Sequence, residues 1–200
     1  LSDETEEEQA WNKKAASFSK KPLKNQVLFV SPRADGHLEG NAKALYPFIK
    51  GKKTICAKRL PHNPQTALEM TEAILTSKVI VTDDYVKYLR YFPLRPEQRV
   101  IQLWHACGAF KKFGRSTAEL KFGSSAATLD KYPNYGNLTH VTVSSPEVIW
   151  AYEEAMHLPK GIVKATGVSR TDQFYDKKFV ESRKQKLYEI MPEAKDKKVI

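Results

Sequence analysis

Arg99-Val100-Ile101-Gln102-Leu103-Trp104-His105-Ala106-Cys107-Gly108-Ala109-Phe110-Lys111-Lys112-Phe113-Gly114-Arg115 is the stretch from which the rest of the chain can be read. Its first part, Val100–Trp104, is short, apolar and rich in β-branched and aromatic residues, which predicts a buried strand. The strand delivers His105 into a run of small residues, and cations follow at Lys111, Lys112 and Arg115 around Gly114. In an α/β protein, loops beyond the carboxyl ends of the strands are where a ligand is held.

Outward from this stretch, apolar runs alternate with helical patterns. Gln26–Ser31, Lys53–Lys58, Lys78–Thr82, His140–Ser144 and Gly161–Lys164 read as further strands. Helices are expected at Ala42–Lys50, with Asn41 as cap and Leu45, Phe48 and Ile49 on one face, and at Gln65–Thr76 after Pro61 and Pro64. A helix running to Met156 is expected to open at Ser145-Pro146-Glu147, a serine before a helix-start proline. A basic amphipathic helix, Lys177–Met191, presents Phe179, Leu187 and Ile190, and Pro192 closes it. The segment 114–137, with Ser124-Ser125, Pro133 and Gly136, is turn-rich and has no period. Continuous rather than alternating apolar strands predict a Rossmann-like, mostly parallel α/β sheet with helices on both faces.

Residues 1–25 run from an acidic start, Ser2-Asp3-Glu4-Thr5-Glu6-Glu7-Glu8, into lysines, and only Trp11 and Phe18 suit a core. They read as a linker or connecting helix. Residues 26–176 form one Rossmann-like domain, and 177–200 form a connecting helix with the first residues of a further domain.

The formal net charge is +10, from 33 Lys+Arg against 23 Asp+Glu. The first eight residues hold five of those acids and no base, so 33 cations face 18 acids in the remainder, a surplus of +15. Such a surplus suits polyanions or an anionic membrane face, and equally a solvated basic surface without a partner. No apolar run approaches the roughly 18–20 residues of a membrane span. Cys56 and Cys107 are the only cysteines, and they form no metal-spaced cluster, which suits a reducing compartment and no metal site. Neither a GxGxxG fingerprint nor a GxxxxGK[ST] loop occurs, so a dehydrogenase or P-loop NTPase is not expected.

His105 titrates near neutrality when unperturbed and can act as a general base. A lone histidine is more often structural. Its position directly after an apolar strand, with Gly108 allowing close backbone approach, raises the catalytic reading. Lys111, Lys112 and Arg115 suit phosphate neutralisation or a simple basic rim. Cys107 beside His105 is a weaker candidate nucleophile, since no orienting Asn or Asp is evident. Ser144 and Ser145 put hydroxyls at a strand-to-helix junction, where they bind an anion or only cap the helix. Arg170 and Asp172 either pair with each other or leave Arg170 for phosphate.

Together, Trp104–Gly114, Ser144-Ser145 and Gly167-Val168-Ser169-Arg170-Thr171-Asp172 resemble the WHG-x-x-x-KK-x-G, SS and G-x-PR-x-D signatures of the CDP-glycerol glycerophosphotransferases. Ser31 with Gly40-Asn41 is similar to that family's opening strand and loop. The resemblance runs in order over residues 26–200, with Ala106 and Ser169 as departures.

It implies the amino-terminal, acceptor-side half of a GT-B fold, with a donor-binding domain of the same polypeptide after this chain. The implied reaction transfers glycerol phosphate from CDP-glycerol to a lipid-linked teichoic acid-type acceptor and releases CMP. His105 is the implied base, and Gly108, Lys111, Lys112, Arg115, Ser144, Ser145 and Arg170 bind phosphate or substrate. Trp104, Asn41 and Asp172 support the site. No bound cofactor, metal or nucleic acid is implied. The implied place is cytoplasmic, peripheral on the inner face of the membrane, and residues 1–200 alone are expected to be inactive. A GT-B glycosyltransferase for capsule or wall polysaccharide, or a non-catalytic basic binding domain, are the other readings.

Overall fold

A computed structural model describes residues 6–198 except 60–62, 91, 122, 124 and 132. The acidic opening Ser2–Thr5, Pro61, Ser124, Val199 and Ile200 therefore lie outside the described residues. The strands are β1 (Lys24–Ser31), β2 (Lys53–Ala57), β3 (Ser77–Thr82), β4 (Arg99–Gln102), β5 (His140–Val143) and β6 (Val163–Ala165). The helices are α1 (Glu6–Phe18), α2 (Gly40–Leu45), α3 (Pro64–Thr76), α4 (Ala126–Lys131), α5 (Ile149–Met156) and α6 (Lys177–Ile190).

The six strands form one sheet in the order β2-β1-β3-β4-β5-β6, and every pairing is parallel. Each strand contributes to both faces because successive side chains point to opposite sides. Leu28, Val30, Ile80, Val100, Val141 and Val143 pack on one face with Met70 and Ile74 of α3 and Tyr152 and Met156 of α5. Phe29 and Val81 point the other way, against Leu38, Ala42 of α2 and Leu103. Both faces are covered, so the continuous apolar strands are explained and the parallel α/β expectation is met.

The chain reverses its direction of travel across the sheet after β2. It leaves β1 for β2 on one side and returns through α3 to β3 on the other. In such sheets the crevice outside the carboxyl ends, at the point where the order reverses, is where ligands bind. Here that point lies between β1 and β3, and β4 is next in line.

α1 packs on the domain. Ala15 and Phe18 are buried with Leu75, and Trp11 lies 5.3 Å from Phe92 and 6.3 Å from Tyr88 between ring centroids. At the other end, α6 is capped by Asp176, whose side chain accepts from the N–H groups of Lys178 and Phe179. No residue of α6 is buried; Phe179 and Leu187 are half-covered and Ile190 is 71% exposed.

Several boundaries differ from the sequence expectation. The helix expected over Ala42–Lys50 stops at Leu45 and continues only as a 3-10 turn, Tyr46–Phe48. Pro47 has no N–H to extend an α-helical ladder, and Phe48 is 76% exposed rather than in the core. Asn41 does not cap that helix; Glu39 holds the N-cap position, and Asn41 lies inside the helix, buried. The helix expected from Ser145 starts as a 3-10 turn, Pro146–Val148, before α5. The segment 114–137, expected to be turn-rich, contains a 3-10 turn at Gly114–Thr117 and α4. The strand expected to reach Trp104 ends at Gln102.

Candidate active site

The early end of β4 has a specific cause. Trp104 has a φ of +54°, in the left-handed region that costs a residue with a Cβ roughly 1–2 kcal/mol. Polar contacts hold it there. The Trp104 N–H donates to Gln102 Oε1 at 2.9 Å, and its carbonyl accepts from Asn41 Nδ2 at 2.8 Å. Gln102 and Asn41 are both buried. Two such bonds, at about 1 kcal/mol each, are enough to offset the strain. The turn aims the indole back over the loop, where it stacks on the His105 ring at 4.3 Å and on Phe113 at 4.7 Å.

His105 therefore sits at the carboxyl edge with one ring face covered and its side chain 34% exposed. Its Nδ1 lies 3.1 Å from the backbone carbonyl of Asp83 and 3.7 Å from Oδ2 of Asp84. A carbonyl only accepts, so in this contact Nδ1 carries the proton and Nε2 is the basic nitrogen. The Asp84 carboxylate is itself held on both oxygens: Oδ1 accepts from the Tyr85 N–H at 2.7 Å, and Oδ2 accepts from Arg33 Nη1 at 3.1 Å.

Beneath it, Asp83 is 1% exposed, with Oδ1 accepting from the Ser31 hydroxyl at 2.9 Å. Among the described residues its Oδ2 is buried without a hydrogen-bond partner. Burial pushes the Asp83 carboxyl above its usual value, against the lowering pull of the Ser31 hydroxyl and the Arg33 charge. Gln102 completes the frame by donating from Nε2 to the Asp84 carbonyl at 3.0 Å.

The loop after His105 is tied to α5. The Tyr152 hydroxyl donates to the Gly108 carbonyl at 3.2 Å, and the Phe113 ring meets Tyr152 edge-on at 5.5 Å. Gly114 has a φ of +56°, and a Cβ there would fall 2.2 Å from the Ala155 carbonyl oxygen. Between these anchors, Phe110 is fully exposed and Lys111 and Lys112 are exposed. Arg115 turns away to pair with Asp130 of α4 at 2.5 Å.

The remaining candidates lie along the same edge. Asn41 joins the His105 loop to the segment after β6: its carbonyl accepts from the Ser169 hydroxyl at 2.8 Å, and its Oδ1 accepts from the Arg170 N–H at 3.4 Å. The Arg170 guanidinium reaches Cys107 Sγ at 3.4 Å, so Arg170 turns toward the His105 loop. Among the described residues, no ion pair joins it to Asp172, which is exposed. Ser144 is exposed at the end of β5, and the Ser145 hydroxyl helps hold the Glu147 carboxyl below its usual range.

Arg33, Asp83 and Asp84 were not singled out from the sequence. The available signal was an acidic pair directly after an apolar strand. Its meaning depends on β3 lying between β1 and β4. Among the described residues, no group of three or more His, Cys, Asp or Glu is arranged to hold a metal.

Fold and site define a Rossmann-like parallel α/β unit whose candidate site residues gather at the strands' carboxyl edge. Residues 14–200 match the family described as CDP-glycerol:poly(glycerophosphate) glycerophosphotransferase, and the chain belongs to that family. It is 38% identical over 188 residues to the teichoic acid ribitol-phosphate primase of Bacillus spizizenii, covering 88% of this chain and 48% of that protein. It is also 39% identical over 133 residues to the teichoic acid poly(ribitol-phosphate) polymerase of the same organism, covering 66% of this chain and 21% of that protein. A solved structure of the wall teichoic acid polymerase TagF has the same fold, with a TM-score of 0.65 at 12% identity, over 92% of this chain and 49% of that one. The chain thus spans about half the length, or less, of the relatives it matches.

Proposed function

We propose that this chain is the acceptor-side domain of an enzyme that transfers an alditol phosphate from a CDP-alditol to a hydroxyl of a lipid-linked teichoic acid-type acceptor. In this reading His105 Nε2 takes the proton from the acceptor hydroxyl. The oxygen attacks the β-phosphorus of the donor, a new P–O bond forms, the bond to the α-phosphate breaks, and CMP leaves. The observation that carries the reading is the geometry of His105 within a family match covering residues 14–200: Nδ1 faces a carbonyl, Nε2 is left basic, and the ring is held at the sheet's carboxyl edge. Positioning and charge neutralisation supply most of the catalysis in such transfers.

Gly108, Lys111, Lys112 and Arg170 are assigned to phosphate or substrate on this edge, with Ser144 and Ser145 beside them. Arg115 contributes through its pairing with Asp130, which braces the loop. Trp104, Asn41 and Asp172 are supporting residues. The domain proper runs from β1 to residue 176 with α1 packed on it, rather than starting at residue 26 after a mere connecting element, and 177–200 form the link to a donor-binding domain. The enzyme works at the inner face of the cell membrane. The family description names glycerophosphate, and both relatives described above are a primase and a polymerase of ribitol phosphate by name; the second observation favours CDP-ribitol as donor.

The test measures CMP release by the full-length protein with a lipid-linked acceptor and either CDP-ribitol or CDP-glycerol. His105→Ala is expected to lower turnover by about 10²–10⁴-fold while the far-UV circular dichroism is unchanged. Near-normal turnover removes His105 from the mechanism, and turnover only with nucleotide sugars would assign the chain to a glycosyltransferase.

A further inference from the structure

His105, Asp84 and Arg33 come from three strand ends and form one chain of contacts. Arg33 follows β1, Asp84 follows β3, and His105 follows β4. The Asp84 carboxylate is oriented by the Tyr85 N–H on one oxygen and by Arg33 on the other. That second oxygen is also the one 3.7 Å from His105 Nδ1. Both oxygens are thus committed to fixed donors before the histidine is considered, so the charge beside the ring is preorganised. The Asp83 carbonyl accepts a hydrogen bond from Nδ1–H at 3.1 Å, which leaves Nε2 as the basic nitrogen. Trp104 covers one ring face and prevents it from turning freely.

The Asp83 carboxyl is buried beneath the loop and turned to Ser31. Tyr135 and Tyr85 stand near Asp84. Arg170 approaches from the segment after β6, through Cys107.

We propose that Asp84, clamped by Arg33 and placed against the Nδ1 edge of His105, is the positioning residue that makes His105 an effective base. This rests on the reading of His105 as the base. When Nε2 accepts the acceptor hydroxyl's proton the ring becomes a cation. Its charge then faces a carboxylate already fixed in place, and no reorganisation is needed at that step. Arg33 acts on the orientation of Asp84 and does not touch the ring.

The test uses the full-length protein, with CMP release resolved into kcat and KM for both substrates. Asp84→Asn keeps the shape and the bond from Tyr85 but removes the charge. It is expected to lower kcat by about 10²–10³-fold with KM values within threefold of the parent. The double variant with His105→Ala is expected to be no slower than His105→Ala alone, because residues acting as a unit are non-additive. If His105→Ala is inactive while Asp84→Asn keeps kcat within threefold, or if the two losses multiply, the positioning role is overturned and the base reading survives. If His105→Ala turns over normally, both fall.

A second measurement needs no substitution at Asp84. In the parent protein labelled with ¹⁵N-histidine at pH 9, the His105 signal, assigned by its absence in His105→Ala, is expected to be that of the Nδ1–H tautomer. The Nε2–H tautomer would overturn the proposal.

Discussion

Asp83 and Trp104 show how single residues are held against their own preferences at this site. Trp104 accepts a left-handed backbone because two buried amides grip its N–H and C=O. Asp83 is held buried with one carboxylate oxygen unpaired, and burial raises its pKa. The raised value sets the sign of a pH effect. Over the range between the usual aspartate value and the folded one, the folded state keeps a proton that the unfolded chain has released. Asp83 therefore supports stability at low pH, and that contribution is lost as pH rises through the folded value. Asp83→Asn removes the buried charge. We expect the Tm of the variant relative to the parent to be higher at pH 8 than at pH 4.5. A difference that is flat or reversed across this range would contradict the assignment. What sequence alone conveyed at this scale was His105. It follows an apolar run, and strand ends project side chains into loops. Asp83 and Asp84 were visible as an acidic pair, but nothing local to 77–84 says which neighbour they face.

Among the elements, the loop from His105 to Gly114 depends most on packing against α5. Its far anchor is Gly114, where both the φ of +56° and the approach to the Ala155 carbonyl exclude a side chain. Gly114→Ala costs roughly 1–2 kcal/mol for the backbone alone and must also displace backbone at Ala155. We expect a Tm lowered by at least several degrees, from about 2–4 °C per kcal/mol for a domain of this size, together with reduced turnover of the full-length protein. An unchanged Tm would show that the loop does not seat on α5 as described. The sequence did mark this loop, with glycines and cations after a histidine. It did not show that Arg115 leaves the lysines to pair with Asp130, because residues 114–137 carry no apolar period from which α4 could be inferred. Asn41 departs from the expected cap for a related reason. Its type suits that position, but the carbonyls of Leu103 and Trp104, 62 and 63 residues away, compete for its amide and win.

Across the whole molecule the dominant property is the charge of +10. Among the described residues no helix is long and apolar enough to cross a membrane; the positive surface charge is a means of attraction to an anionic bilayer. Each basic residue near an anionic surface contributes about 1 kcal/mol, within a screening length of about 10 Å at 0.1 M salt. The full-length protein is expected to co-sediment with phosphatidylglycerol vesicles at 0.1 M NaCl and to be largely released at 0.5 M. Equal binding to phosphatidylcholine, or indifference to salt, would contradict an electrostatic contact.

At this scale the sequence by itself determined the class of architecture and the order of its parts. Period and composition are local properties, and alternating apolar strands and amphipathic helices leave a covered parallel sheet as the consistent solution. The tertiary structure decided which strand ends become neighbours. Parallel strands are joined by crossovers, and their order depends on how helices pack on two faces, which no local pattern records. Only that packing brings Arg33 to Asp84, 51 residues away, and Asp84 to the edge of His105.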